Sequence, residues 1–201
     1  DTRKKVTREI YREKKEEIIA QAENLTEHLL SSNAFGIQKP DGDDKEAIFS
    51  NEQLQTIAEN ILASADTEWG GFGRAPKFPQ TSCIQYLLRH YHFTKDKTAL
   101  SQALLSLDKM IGGGIYDQLG GGFARYSTDA EWLAPHFEKM LYDNALLVGV
   151  IAEAHQITGK AQYAKAIQQM IAFIEREMTS EEKGFYRARD ADSEAIGRAH
   201  G

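Results

Sequence analysis

Residues 111–145 combine the residue types that a chemically active site requires. They contain two glycine clusters, several aromatic rings, one histidine and several carboxylates. Glycine lets the backbone turn tightly or approach a ligand closely, and a histidine beside carboxylates can transfer protons near neutral pH. We therefore take this segment as the candidate site. Its acid, base and hydrogen-bonding groups are Asp117, Arg125, Asp129, His136 and Glu138.

The role predicted for His136 depends on where the next helix begins. Pro135 favours the first helical position, so the sequence predicts a helix over residues 135–158, with His136 and Glu138 near the positive end of its dipole. In one interpretation His136 is a general acid or base that acts with Glu138 and Asp117. In the other, His136 and Glu138 only cap the helix, a common arrangement in a first turn.

Aromatic side chains are frequent around these groups. They could stack on the apolar face of a sugar ring, or they could fill the interior of a helical domain. We expect the phenylalanines to be mostly core and the tryptophans and tyrosines more often to line a site. The predicted substrate-binding residues are Trp69, Lys77, Tyr116, Arg125, Tyr126, Asp129, Trp132, Tyr142 and Asp192.

Lys77 and Asp192 are candidates from outside the central segment. Lys77 lies in a glycine-rich loop and could contact an anion, although the loop lacks the spacing of a phosphate-binding loop. Asp192, together with Asp190, could bind a cation or form a carboxylate pair. The sequence has no histidine and cysteine cluster with metal-ligand spacing, and its single cysteine, Cys83, cannot form an internal disulfide. We therefore predict no metal, no cofactor and a reducing, cytoplasmic location.

Helical periodicity accounts for most of the remaining sequence. A capping box at Ser50 and Gln53 and an N-cap at Asp96 mark two helix starts, and Gly159 marks a helix end. No strand of alternating pattern is found, although short extended pieces could lie within the loops. The chain is therefore predicted to be all-α. The helices are expected over residues 3–31, from Ser50 onward, and over 81–93, 96–112, 135–158 and 161–178, with a loop over 34–49.

A glycine–phenylalanine motif occurs three times, as Gly71-Phe72, Gly122-Phe123 and Gly184-Phe185. Each copy opens a loop, and two predicted helices separate each copy from the next. The repeating unit is thus a helical hairpin, as in helical arrays and closed α/α rings. We expect the three loops to meet on one face around a common hollow. A closed ring needs more helices than these, so we expect about half of a ring, which could self-associate through exposed apolar helix faces.

Composition limits the classes of partner. The net charge of −6 argues against a dedicated nucleic-acid binder. No apolar run approaches the length that spans a bilayer, and the sequence does not open on a secretory signal. Hydrophobic residues make up 41% of the chain, which is typical of a globular protein. We therefore expect neither nucleic acid nor a membrane as a partner.

A family resemblance rests on three segments, which read GGFGRAPKFP, GGGIYDQLGGGFARYSTDAEWLAPHFEKMLYDNA and DADSE. They closely resemble the signature segments of the spermatogenesis-associated thioredoxin-like family, over roughly residues 3–195. The resemblance implies a thioredoxin-like domain, not contained in these residues, followed by an (α/α)6 toroid similar to those of N-acylglucosamine 2-epimerases and six-hairpin glycosidases. It implies a linker helix over 1–33 and the first half of the toroid over 34–201. After Asp192 to Glu194 the sequence departs from the family pattern.

Three functions follow from this resemblance. The first is sugar epimerisation or isomerisation with His136 as the acid/base group, because epimerisation beside a carbonyl needs a base on one face of the carbon and an acid on the other. The second is hydrolysis of a glycoside by paired carboxylates. The third is a non-catalytic module that binds or supports a thioredoxin-like domain. We expect weak or no activity from these residues alone, because half of the pocket wall is absent. The carboxylate candidates are Asp117, Asp129, Glu138 and Asp192.

Overall fold

Helices dominate the part of the chain that the computed structural model describes, which is residues 14–33, 50–182 and 184–189. The beginning of the first predicted helix, the loop over 34–49 and the pair Asp190 and Asp192 lie outside these residues. The helices are α1 (Lys15–Asn33), α2 (Asn51–Ala63), α3 (Thr81–Thr94), α4 (Lys97–Gly112), α5 (Leu141–Thr158) and α6 (Ala161–Glu177). The strands, each of two residues, are β1 (Tyr126–Ser127), β2 (Pro135–His136), β3 (Lys139–Met140) and β4 (Ala188–Arg189).

Contacts between residues divide the chain into two units, 1–60 and 61–201. The division falls within α2, whereas the sequence places a domain boundary between residues 33 and 34. The assignment of 34–60 to the toroid therefore stays a prediction. All of the candidate residues that the structure describes lie in the second unit.

The local signals at helix ends are confirmed. The Ser50 N–H donates to Gln53 Oε1 at 2.8 Å, and the Gln53 N–H donates to Ser50 Oγ at 3.1 Å, which is the predicted capping box. Asp96 Oδ1 accepts from the Thr98 N–H at 2.8 Å at the start of α4. Gly159 ends α5 with φ of 67°, a left-handed conformation that favours glycine.

The second unit is built on two helical hairpins. Helix α3 packs on α4, α5 packs on α6, and the two hairpins meet through α3 and α5. Burial of the apolar helix faces supplies the main favourable term in folding. Side chains from all four helices are fully buried there, among them Leu87, Leu107, Leu147 and Phe173. The all-α class is thus confirmed, with short extended pieces in the loops as expected.

The helix predicted to begin at Pro135 begins instead at Leu141, so that part of the prediction is wrong. Residues 135–136 form β2, which pairs antiparallel with β1, and β3 pairs antiparallel with β4. The Leu141 N–H donates to the carbonyl of Arg187, and Met140 before it has extended backbone. Backbone groups distant in sequence therefore keep residues 135–140 out of the helix. The dipole argument for His136 and Glu138 does not apply.

The three glycine–phenylalanine loops follow α2, α4 and α6, and each is closed by a β-bridge. The bridges are Ala65 with Phe72, Tyr116 with Phe123, and Thr179 with Phe185. Backbone pairing then joins the loops to each other. Lys77 of the first loop bridges to Ser127 of the second, and β3 in the second pairs with β4 in the third. The three loops therefore meet at one end of the second unit.

Glycine in the first loop is required by close packing. Gly70 has φ of 68°, and a Cβ at this position would lie 2.7 Å from the Cα of Ser106 in α4. The neighbouring Gly71 N–H donates to Ser106 Oγ at 2.8 Å. The loop backbone thus lies directly against a helix, an approach that any side chain would prevent.

Candidate functional site

The antiparallel pair β1–β2 and its flanking residues, 125–138, form a surface segment that we call the loop ribbon. It carries the candidate residues Arg125, Tyr126, His136 and Glu138. His136 is exposed, while the other three are partly buried. The ribbon is held to the first loop because the Lys77 and Ser127 backbones exchange two hydrogen bonds of 2.8 Å.

His136 lies on an aromatic stack at the surface of the ribbon. Its ring is nearly parallel to that of Tyr126, with an interplanar angle of 14° and ring centroids 4.9 Å apart. Tyr126 in turn contacts Phe78 of the first loop, with centroids 5.0 Å apart. Within the described ranges, neither imidazole nitrogen of His136 has a hydrogen-bond partner. The ring is therefore oriented by stacking, and its nitrogens remain available for proton transfer.

Glu138 pairs with Arg125 and not with His136. Arg125 Nη1 donates to Glu138 Oε2 at 3.0 Å, and 41% of the arginine side chain is exposed. The hydrogen bond and the charge of Glu138 raise the pKa of Arg125. The predicted orientation of His136 by Glu138 has no contact to support it in this structure.

Asp117 is a structural anion. Its Oδ1 accepts from the backbone N–H groups of Leu119 and Gly120, and its Oδ2 accepts from Lys139 Nζ at 2.8 Å. Burial acts to raise the pKa of Asp117, but these hydrogen bonds and the lysine charge outweigh burial and lower the pKa to about 2. A carboxylate that stays ionised near neutral pH is a poor proton donor, so the predicted catalytic role of Asp117 does not fit its surroundings.

Asp129 also accepts hydrogen bonds from the backbone. Its two oxygens accept from the N–H groups of Glu131, Leu133 and Ala134 at 2.6–3.1 Å. Burial acts to raise the pKa of Asp129, but the backbone donors outweigh burial and leave its pKa below the usual value. The residue orders the turn between β1 and β2, and its oxygens are occupied by that turn.

Lys77 is a buried cross-link between the first two loops. Its side chain is fully buried, and Nζ donates to Asp66 Oδ2 at 2.5 Å and to the carbonyls of Gly70 and Ala130 at 2.9 Å. An ammonium group has three hydrogens to donate, and these three acceptors use them all. The anion that Lys77 contacts is therefore the carboxylate of Asp66, and Nζ has no hydrogen left to donate to an anionic ligand.

Several candidate aromatic residues are core residues. Trp132 is fully buried and its Nε1–H donates to the carbonyl of Trp69 at 2.8 Å, while Trp69 is itself partly buried. Tyr116 is buried and donates to Gln169 Oε1, and burial together with the charge of Asp117 raises its pKa to about 12. These positions give a ligand no access to the Tyr116 and Trp132 rings.

We expected phenylalanines to be mostly core residues and tryptophans and tyrosines more often to line a site, and this expectation is wrong. Phe72 and Phe123 are core residues, but Phe78, Phe137 and Phe185 are exposed, Phe137 by 71%. Among the predicted aromatic candidates, Tyr142 is exposed and Tyr126 and Trp69 are partly buried. Asp192 lies beyond the described residues.

A repeated aspartate–lysine contact escaped the sequence analysis. In the first loop Lys77 contacts Asp66 and the Gly70 carbonyl. In the second loop, Lys139 Nζ likewise donates to Asp117 and to the Gly121 carbonyl. The sequence signal was an aspartate four residues before the second-last glycine of each motif. The third motif has a single glycine. There Ser180 makes the equivalent backbone contact, because its N–H donates to the Gly184 carbonyl as the N–H groups of Asp66 and Asp117 donate to the carbonyls of Gly71 and Gly122.

Acid should weaken the contact of Asp117. Because its pKa in the folded state is about 2, below the usual aspartate value of 3.8, this carboxylate stabilises the fold above pH 3.8, and the contribution is lost as the pH falls toward 2. Since 40% of the side chain is exposed, we expect Asp117→Asn to cost only about 1 kcal/mol near pH 6. Urea unfolding of both proteins from pH 6 to pH 2 should show this difference shrink, and a constant difference would contradict the assignment.

Comparison with known sequences identifies the relatives. Spermatogenesis-associated protein 20 of Homo sapiens is 34% identical over 190 residues, which are 92% of this chain and 24% of that protein. The Mus musculus protein is 36% identical over 183 residues, 89% of this chain and 23% of that protein. Over this segment the chain belongs to the spermatogenesis-associated protein 20 family. An uncharacterised Caenorhabditis elegans protein, B0495.5, is 37% identical over 149 residues. No protein-family model matches the chain.

The family resemblance inferred from the three segments is thus confirmed for the part of the family that the chain spans. That part is about a quarter of the length of the mammalian relatives. The match covers 92% of this chain in the human protein, so it includes the loop ribbon and both helical hairpins.

Solved structures extend the comparison to the fold. A cellobiose 2-epimerase from Spirochaeta thermophila has a TM-score of 0.58 at 18% identity, covering 71% of this chain and 41% of that one. A sugar epimerase from a ruminal bacterium has a TM-score of 0.57 at 17% identity, covering 65% and 36%. A D-mannose isomerase has a TM-score of 0.57 at 16% identity, covering 69% and 43%. These are (α/α)6 toroids, so the chain has the fold of part of such a toroid.

Two features are absent from the part of the chain that the structure describes. No helix there is long and apolar enough to cross a membrane. No group of three or more histidine, cysteine, aspartate or glutamate side chains there could hold a metal ion.

Proposed function

We propose that the loop ribbon is part of a sugar-binding site at which His136 is the acid/base group of an epimerase or isomerase. The observation that carries this proposal is the exposed imidazole of His136, stacked on Tyr126 at 4.9 Å, with both nitrogens free of partners in the described ranges. The fold supports the proposal, because structures with this toroid include proteins named as sugar epimerases and a D-mannose isomerase. That support is an analogy of fold.

The reaction would proceed by proton transfer at the carbon next to the sugar carbonyl. Neutral His136 accepts the proton of that carbon, and the electron pair of the broken C–H bond moves to the carbonyl oxygen to give an enediolate. A second acid, which we place outside these residues in the longer family members, gives a proton to the other face of the carbon to form the epimer, and His136 then releases the proton that it accepted. Arg125, whose side chain is 41% exposed on the same ribbon, could donate a hydrogen bond to the enediolate oxygen.

Hydrolysis by paired carboxylates has weaker support. Asp117 and Asp129 have lowered pKa values and are engaged by backbone and lysine donors, whereas a glycosidase needs one carboxyl group that keeps its proton. Glu138 is paired with Arg125.

The third function is that of a non-catalytic module. Partnership with a thioredoxin-like domain is a proposal for the longer family members, and the scaffold function is the outcome expected if no sugar binds.

Deuterium exchange tests the proposal. A full-length family member that carries these residues is incubated in D₂O with D-mannose, D-glucose, N-acetylglucosamine and cellobiose, because we expect weak or no activity from these residues alone. Proton NMR follows the C2–H signal of each sugar. We expect at least one sugar to lose this signal and form its C2 epimer or ketose isomer, because proton removal exposes the carbon to solvent deuterium. Release of glucose from cellobiose would favour the glycosidase function instead. Absence of exchange, hydrolysis and binding for every sugar would support the scaffold function.

A further inference from the structure

Backbone pairing brings three rings from two loops into one row, which we call the aromatic row. The backbones of Lys77 and Ser127 exchange two hydrogen bonds of 2.8 Å, and β1 pairs with β2 so that Tyr126 is opposite His136. In antiparallel pairing, the neighbours of one opposed pair also lie opposite each other, which places Phe78 opposite Tyr126. The row therefore runs from Phe78 in the first loop through Tyr126 to His136.

Alternation along the paired segments puts the aromatic row on the solvent side. Successive side chains of extended backbone point to opposite faces. Lys77 and Ser127, the neighbours of Phe78 and Tyr126, are fully buried. Phe78 is 43% exposed, Tyr126 is partly buried and His136 is exposed. One face of the three segments is thus part of the core, and the other carries the rings.

The rings of the row contact each other in sequence. The Tyr126 and His136 rings are nearly parallel, with centroids 4.9 Å apart, and the Phe78 and Tyr126 rings are tilted by 33°, with centroids 5.0 Å apart. Aromatic rings at these separations attract each other. An exposed histidine without such a contact would exchange between rotamers. The plane of the imidazole therefore depends on Tyr126, and the place of the Tyr126 ring depends in turn on Phe78.

We propose that Tyr126 and Phe78 are positioning residues, which hold the imidazole of His136 in the orientation that proton transfer requires. The acceptor lone pair of a neutral imidazole lies in the plane of the ring, so a fixed plane fixes the direction from which a proton is accepted. Tyr126 covers one face of the imidazole and leaves its nitrogens at the edge. This inference rests on the proposed function, since it takes His136 as the acid/base group, and it gives the first loop a part in the reaction.

NMR shifts of His136 test the stack in this chain, without any sugar. The face of an aromatic ring shifts the signals of protons above it upfield, so Hδ2 and Hε1 of His136 should lie upfield of their positions in the urea-unfolded chain. Their signals are assigned from the spectrum of His136→Gln. We expect Tyr126→Leu to remove the upfield shift and Tyr126→Phe, which keeps a ring, to retain it. Phe78→Leu should reduce it.

The matched control is Phe93→Leu. Phe93 is an exposed phenylalanine in α3, and its ring contacts that of His92 edge-on with centroids 5.1 Å apart. Its replacement should move the signals of His92 and leave those of His136 unchanged. The control therefore shows that a change at His136 comes from the aromatic row and not from the loss of any surface phenylalanine. Thermal unfolding shows which variants are folded.

Exchange kinetics separate a positioning role from a purely structural one. Deuterium exchange at C2 of the responsive sugar is measured for the same variants of the full-length family member. We expect Tyr126→Leu to lower kcat about tenfold, the size of effect that one aromatic contact supports. KM should change by less than about twofold, because the stack directs proton transfer and does not bind the sugar. Tyr126→Phe should restore kcat, and Phe78→Leu should lower it by a smaller factor.

The outcomes distinguish this inference from the proposed function. An upfield shift of His136 that persists in folded Tyr126→Leu would overturn the inference, and so would an unchanged kcat in that variant while the unchanged protein is active. If Tyr126→Leu does not fold, Phe78→Leu decides, and an unchanged shift and kcat in that variant would overturn the inference. Absence of exchange in the unchanged protein would overturn the proposed function and the positioning role together.

Discussion

Replacement of His136 by glutamine is expected to lower the rate of deuterium exchange at C2 of the responsive sugar about 10²- to 10⁴-fold. Glutamine can still form hydrogen bonds but cannot accept a proton at neutral pH. Because the ring of His136 is exposed on the ribbon, its loss should leave the fold and the dissociation constant of the sugar nearly unchanged. Exchange is measured in the full-length family member by loss of the C2–H signal in D₂O, and binding by NMR titration.

The matched control for this experiment is His92→Gln. His92 is an exposed histidine near the end of α3, so its replacement tests whether the loss of any surface histidine affects exchange. Equal exchange rates for His136→Gln and the unchanged chain would remove His136 from the mechanism. A sugar that no longer binds to a folded His136→Gln variant would assign His136 to binding instead.

Replacement of Asp66 by alanine is expected to destabilise the chain by about 3–5 kcal/mol, the usual cost when one partner of a buried ion pair is removed. Lys77 is fully buried, so its ammonium would keep only the carbonyls of Gly70 and Ala130 as acceptors. Asp66 Oδ1 also accepts from the backbone N–H groups of Glu68 and Trp69. Thermal unfolding followed by circular dichroism should show a melting temperature lower by about 10 °C.

A second substitution separates the buried charge from the loss of the loop contacts. In Asp66→Ala/Lys77→Met the uncompensated cation is gone, so we expect the double variant to be more stable than Asp66→Ala alone. Glu68→Ala, at an exposed neighbouring position, controls for removal of a surface carboxylate and should change stability by less than about 0.5 kcal/mol. The buried ion pair would be dispensable if Asp66→Ala melted at the same temperature as Glu68→Ala.

The sequence predicts the parts of the fold that depend on neighbouring residues. The capping box at Ser50, the cap at Asp96 and the helix end at Gly159 were read correctly, because each is formed by residues a few positions apart. The start of α5 was not predicted correctly. Pro135 is suited to a helix start, but β1 and β4 provide backbone partners from elsewhere in the chain, and no local pattern reveals them.

The sequence places the candidate residues near one another, but it does not predict the contacts that each of them makes. Sequence proximity placed the ribbon residues together correctly, yet it could not show that Lys77, Trp132 and Tyr116 are buried, because burial is decided by the loops that pack over them. It also assigned Glu138 to His136, although the guanidinium of Arg125 is the partner that Glu138 reaches.

The backbone pairing between successive loops has a consequence for motion. Lys77 is bonded to Ser127, and Lys139 pairs with Arg189, so disorder in one loop removes hydrogen-bond partners from the next. The loop end of the second unit should therefore open as one cooperative element, with amide hydrogens of all three loops exchanging through a shared fluctuation. Substrate entry that needs more than side-chain rotation would then involve every loop at once.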